Sequence, residues 1–200
     1  MSAIALFARR ARGSTFDAWG PSDVNLCESN ARLHARQMPM LTNPVASAGG
    51  GGFARFGRWI VGGMGEGGGS QAQNERYLAR YGYGSGGQIV GFTLLRLFGL
   101  SVTPLVGIGG AGIGALSQDS RAAVVEPRRG GSGGALLFGG VLIELHLPLL
   151  RGWGPLGGLL LGYRFTLMAG VNKSDLDLPA NDRDGVSGFF ARLVVGVGQG

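Results

Sequence analysis

Residues 134–149 read GALLFGGVLIELHLPL, and the spacing within this stretch decides the fold. Val141, Ile143, Leu145, Leu147 and Leu149 fall on one side of a two-residue period, with Gly140, Glu144, His146 and Pro148 on the other. A helix would set Glu144 and His146 into an otherwise apolar surface, whereas an extended strand sorts the same residues into one apolar and one mixed face. The period recurs downstream. In 156–169, Leu159, Leu161, Tyr163, Phe165 and Leu167 alternate with Gly158, Gly162, Arg164 and Thr166, and in 186–198, Phe189, Ala191, Leu193, Val195 and Val197 alternate with Phe190, Arg192, Val194 and Gly196.

Working backwards, 100–115 opposes Leu100, Val102, Val106 and Ile108 to Ser101, Thr103, Gly107 and Gly109. The segment 88–97 is apolar but loses its alternation around Leu94, Leu95 and Arg96, where a bulge is expected. A weaker sixth candidate is 53–63, with Phe56, Trp59, Ile60 and Val61. The connections read as a long polar stretch over 64–87, a tight link at Phe98-Gly99, a long one over 116–133, a short one over 150–155 and a long one over 170–185. Alternation of long and short links is expected of an up-and-down meander with extended loops on one rim and tight turns on the other, as in membrane β-barrels.

Composition supports this reading. Of 41 glycines only Gly13, Gly20 and Gly49 fall in the first 49 residues. Such density without a Gly-X-Y period excludes collagen, and the interleaved Leu, Val, Ile and Phe argue for closely packed β structure over a flexible low-complexity chain. Residues 1–49 are poor in glycine and show no sustained period, so they are expected to form an irregular or weakly helical leader, with the barrel over 50–200. The abrupt change at Gly49–Gly52 also raises the question of whether that leader is native to the fold. Its order is the reverse of a secretory signal: Ile4–Ala8 is apolar and precedes Arg9, Arg10 and Arg12.

The net charge of +6 comes from dispersed arginines and one lysine, Lys173, with no basic stripe interleaved with aromatics, so no nucleic-acid partner is expected. The single cysteine, Cys27, excludes an intrachain disulfide framework. Residues 97–116 carry no charge and are long enough for a membrane helix, but Pro104 and five glycines between 107 and 114 argue against one. The run Gly107-x-Gly109-Gly110-x-Gly112 lacks a following Lys-Ser/Thr and is read as strand packing. The loop 172–185 gathers Asp175, Asp177, Asn181, Asp182 and Asp184 without EF-hand spacing or a closing glutamate, so a solvated Asx-rich turn is expected and no metal site.

The chain resembles small glycine-rich β-barrel proteins of the bacterial outer membrane, of unassigned function. The likeness rests on PLVGIGGAG at 104–112, GGLLLGYRF at 157–165 and GFFARLVVGVG at 188–198, and covers roughly residues 53–200. The resemblance implies a structural or porin-like barrel in the outer-membrane bilayer.

Glu144, His146, Arg164 and Arg192 occupy the less apolar strand faces and form the expected lumen charge network, with a Glu144–Arg164 pair across one hairpin. Buried charges persist only when paired and hydrogen-bonded. Catalysis by Glu144 and His146 is not expected, because no nucleophile or second carboxylate stands at a compelling spacing. The expected protein is thus an all-β, up-and-down antiparallel barrel of six to eight strands. It is read as non-enzymatic, without a cofactor, and resident in the outer membrane, the alternative being a soluble β-sandwich or barrel that acts as a binding module.

Overall fold

A computed structural model describes residues 12–24, 27–35, 37–41, 43–75, 77–119, 128–147, 149, 152–169 and 186–199. Within these residues nine strands and one helix follow in chain order: β1 (Arg12–Ser22), α1 (Cys27–Ala35), β2 (Val45–Phe56), β3 (Trp59–Gln73), β4 (Tyr77–Phe92), β5 (Leu95–Leu97), β6 (Leu100–Asp119), β7 (Arg128–His146), β8 (Trp153–Ala169) and β9 (Gly188–Gln199). Eight strands form the barrel: they pair antiparallel in chain order, with β4 joined to β6 past the short β5, and β9 returns to β1, which closes it. The short β5 pairs with β6 alone and extends the β4–β6 hairpin.

The register fixes the geometry. A walk across the pairs from Arg12 through Arg55, Ile60, Gly91, Leu105, Gly140, Gly162 and Phe190 closes on Ser22, ten residues along β1 (22 minus 12). A stagger of that size in eight strands requires a tilt of about 40° from the barrel axis. The lumen is then just wide enough for side chains to fill.

One rim carries the tight turns. They lie at Gly57-Arg58, at Phe98-Gly99 and between β7 and β8, and the start of β1 and the end of β9 lie beside them. Gly57 and Gly99 hold φ of +65° and +87°, a left-handed backbone that glycine adopts without strain. The opposite rim carries α1 and the ends of β6 and β8. There Asn30 clasps Leu41 through both its backbone N–H (2.8 Å) and its carbonyl (3.1 Å), and Val24 N–H donates to Asn43 Oδ1 at 3.1 Å. These bonds fold the 23–44 connection back so that Val24 and Leu41 join the buried apolar cluster with Val45 and Val186.

The barrel begins earlier than the composition suggests. The stretch expected to be an irregular leader supplies β1, α1 and the first residues of β2, so residue 50 is not a boundary of the fold. The expected loop 64–87 belongs to β3 and β4, which exchange a continuous register from Trp59↔Phe92 to Gln73↔Leu78. The candidate 53–63 is a hairpin, the end of β2 and the start of β3 joined at Gly57-Arg58. Around Leu94 the expected irregularity is present as the break between β4 and β5, where Leu94 N–H donates to the Val102 carbonyl at 2.9 Å.

The two faces separate as the period requires. Leu145, Leu161, Phe165 and Leu193 all point outward, and with Leu137, Val141, Leu159 and Val195 they form an exposed apolar belt. Trp59 and Trp153 stand at the tight-turn rim. Tyr163 and Phe189 meet edge to face at 4.9 Å on the other half of the belt. The barrel is therefore largely apolar on its outer belt and buries a charge network inside, the inversion that lipid imposes on a spanning sheet.

Candidate functional site

Among the described residues the lumen holds two charged clusters separated by apolar side chains. The first gathers where β1 ends. Glu66 of β3 accepts bonds from Arg192 of β9, at 2.9 Å from Nε and 2.5 Å from Nη2, and forms an ion pair with Arg164 of β8. Ser22 Oγ receives Arg164 Nη2 at 2.6 Å, the Tyr83 hydroxyl at 2.9 Å, and Arg192 Nη2. Arg192 also donates to the carbonyl of Pro21 at 2.5 Å. Ser47 Oγ donates to the Gly20 carbonyl at 2.9 Å, which carries the network onto β2.

Aromatic faces complete the cage. The Arg164 guanidinium lies 5.1 Å from the Tyr83 ring centroid and 5.5 Å from that of Phe190, while Arg192 lies 5.4 Å from Phe190. A guanidinium combines in-plane hydrogen bonds to carboxylate with stacking above and below, which suits arginine better than lysine to a narrow lumen. The side chains are out of water: Arg192 is 0% exposed, Arg164 2% and Glu66 7%.

The second cluster sits near the tight-turn rim. Arg55 of β2 pairs with Glu144 of β7 and stacks on Phe53 at 5.0 Å. Beside it, His146 bonds through Nε2 to the Gly198 carbonyl at 2.8 Å and so ties β7 to the end of β9. Between the clusters lie Phe16, Phe53, Ile60, Ile89, Leu142, Leu160 and Val194, all buried. A cavity of about 20 Å³, lined by Met64, Glu66, Phe138, Arg164 and Phe190 among others, has room for roughly one water.

Glu144, His146, Arg164 and Arg192, singled out in the sequence, all face this lumen, but in two groups. Glu144 and His146 lie near one end, Arg164 and Arg192 near the other. The expected Glu144–Arg164 pair does not form: the β7–β8 register sets Glu144 opposite Gly158 and Arg164 opposite Phe138, six residues further along the hairpin. Their partners come instead from across the barrel, Arg55 for Glu144 and Glu66 for Arg164. Sequence reasoning missed Arg55, Glu66, Tyr83 and Ser22. Glu66 had one available signal, as the lone acid within the glycine-rich run Gly62–Gly69.

Among the described residues no group of three or more His, Cys, Asp or Glu could hold a metal ion, and no helix is long and apolar enough to cross a membrane. The Asp-rich loop 172–185 lies outside the described residues.

No family model matches the chain, and no curated protein is similar to it. Solved structures do match. The attachment invasion locus protein Ail of Yersinia pestis superposes with a TM-score of 0.52 at 11% identity over 95% of this chain and 98% of its own. A second structure of Ail, in complex with the heparin analogue sucrose octasulfate, matches equally. A major outer membrane protein from Thermus thermophilus gives a TM-score of 0.57 at 12% identity over 94% of this chain and 98% of its own. The fold, with its closed strands, apolar exterior and charged interior, is that of bacterial outer-membrane β-barrel proteins.

Proposed function

We propose that this chain is a structural barrel of the bacterial outer membrane whose own lumen does not conduct solutes. The observation that carries the reading is the Glu66–Arg164–Arg192 cluster, which reaches from β3 to β8 and β9 through the barrel centre and is packed by Tyr83 and Phe190. The cavity beside it has room for about one water. Eight-stranded barrels are filled by side chains in this way, whereas aqueous channels belong to wider barrels. Glu144 and His146 are committed to Arg55 and the Gly198 carbonyl, which suits structural pairing better than proton transfer, and we assign the barrel no reaction.

The apolar belt supports residence in a bilayer over the soluble alternative, because so many large apolar side chains on the exterior of a soluble barrel would mark an aggregating surface. Conductance across a planar bilayer tests the proposal. The folded full-length chain is expected to give no discrete unitary steps. The triple variant Glu66→Ala, Arg164→Ala, Arg192→Ala, if it retains the barrel's gel mobility, is expected to leak small ions. Regular unitary steps from the unaltered chain would overturn the reading.

A further inference from the structure

Among the described residues, Asp17 is a charged side chain on the outer wall at the level of the apolar belt. Asp17, in the middle of β1, points outward and is exposed. Its direct neighbour on β9 is Val195, which stands between the exposed Leu193 and Val197. Asp17 is thus at the level of the apolar belt, where a carboxylate facing lipid is unfavourable and an ionisable group calls for a partner. Among the described residues it has none.

The wall beside it is unusual. Moving away from β9, the outward positions become Gly50 and Gly52 on β2, then Gly63 and Gly65 on β3. The Asp17 carboxylate leans over this lane: a Cβ built on Gly50 would lie 3.1 Å from Asp17 Oδ1. On the far side, on β4, stands Gln88, exposed and equally without a partner among the described residues. Asp17 lies opposite Gly50, Gly50 opposite Gly65 and Gly65 opposite Gly86, two residues from Gln88 on the same face. With strands tilted by about 40°, this offset brings Gln88 within about 5 Å of the level of Asp17 along the barrel axis.

We propose that this face is a two-fold interface between two copies of the chain. A two-fold axis along the membrane normal keeps levels and exchanges sides, so Asp17 of each copy meets Gln88 of the other across the glycine lane. Each amide then donates to a carboxylate, and both polar groups leave the lipid together. The lane lets the two walls approach closely, as small residues do between membrane helices. The complementarity is specific: the acceptor and the donor stand at matching levels on opposite borders of a strip that carries no side chain.

Sedimentation velocity of the full-length chain in density-matched detergent, with chemical cross-linking in phospholipid vesicles, tests the proposal. The unaltered chain should be dimeric. Gly63→Leu or Gly65→Leu should weaken the dimer at least tenfold, and the barrel should tolerate either, since the nearest atom to a Cβ at each position is 3.4 Å away. Gln88→Leu and Asp17→Leu should weaken it as well, while Leu161→Ala, on the other side of the barrel, should not. A chain that stays monomeric in vesicles at every concentration would overturn the proposal. So would a dimer indifferent to Gly63→Leu and Asp17→Leu.

Discussion

Replacing Glu66 by Gln should be the most damaging isosteric change in the barrel. The substitution keeps the volume and removes the carboxylate that touches both Arg164 and Arg192. Each lost attraction, between charges about 4 Å apart at an effective dielectric constant of about 20, has a magnitude of about 4 kcal/mol. The two guanidinium groups would then repel each other with nothing between them. Part of this is offset, because Arg192 keeps the Pro21 carbonyl and Ser22, and Arg164 keeps Ser22 and the faces of Tyr83 and Phe190. Removing one partner of a buried ion pair costs about 3–5 kcal/mol in net terms, and that is the loss of stability expected here. Equilibrium urea unfolding in phospholipid vesicles, followed by tryptophan fluorescence and by gel mobility, gives the value directly. Adding Arg164→Met to Glu66→Gln should recover at least about 1 kcal/mol, since one of the two unbalanced charges is then gone. A loss below about 1 kcal/mol for Glu66→Gln, or strictly additive losses in the double variant, would refute the view that Glu66 balances both arginines.

Three further outcomes follow from the same geometry. Glu144→Gln should cost about 3 kcal/mol by stranding Arg55, and because the two clusters share no partner its effect should add to that of Glu66→Gln within about 0.5 kcal/mol in the same unfolding assay. His146→Ala removes the bond to the Gly198 carbonyl and should cost about 1 kcal/mol, with faster amide exchange confined to the end of β9. Gly107→Ala drives a methyl group into the edge of the Phe138 ring and against the Gln88 carbonyl and should destabilise by about 1–3 kcal/mol, relieved only in part by Phe138→Leu, whereas Gly139→Ala, whose nearest neighbour is 3.8 Å away, should be close to neutral.

How much of this was legible depended on what the alternate positions carried. In β7, β8 and β9 the outward residues are large and apolar, and Glu144, Arg164 and Arg192 interrupt the inward face, so the two-residue period stands out. In β3 and β4 the outward positions Gly63, Gly65, Gly67, Gly82, Gly84 and Gly86 carry no side chain. With nothing on one face there is no contrast to read, and two strands look like a loop. β1 fails for the opposite reason. Ser14, Phe16 and Ala18 face the lumen while Thr15, Asp17 and Trp19 face outward, so both faces mix polar and apolar residues.

The charged residues of the lumen were recognisable by type, but their pairing was not. The strand period places Glu144 and Arg164 on adjacent strands, yet only the register of the β7–β8 hairpin shows them six residues out of step. Cross-lumen partners such as Arg55 and Glu66 depend on closure through β1, the strand that the sequence period conceals. The same closure sets the stagger of ten and therefore a lumen narrow enough for one carboxylate to reach arginines on two other strands.

A spin-label scan along β8 in phospholipid vesicles tests the central claim most directly, with Cys27 replaced by serine and single cysteines placed at Leu159, Leu160, Leu161, Tyr163, Phe165 and Thr166. Labels at Leu159, Leu161, Tyr163 and Phe165 should collide with oxygen dissolved in the lipid. Labels at Leu160 and Thr166 should be shielded from oxygen and from aqueous nickel chelate alike. A two-residue alternation of this kind is the expected result, and uniform access of the nickel chelate along the strand would contradict a closed, side-chain-filled barrel in the bilayer.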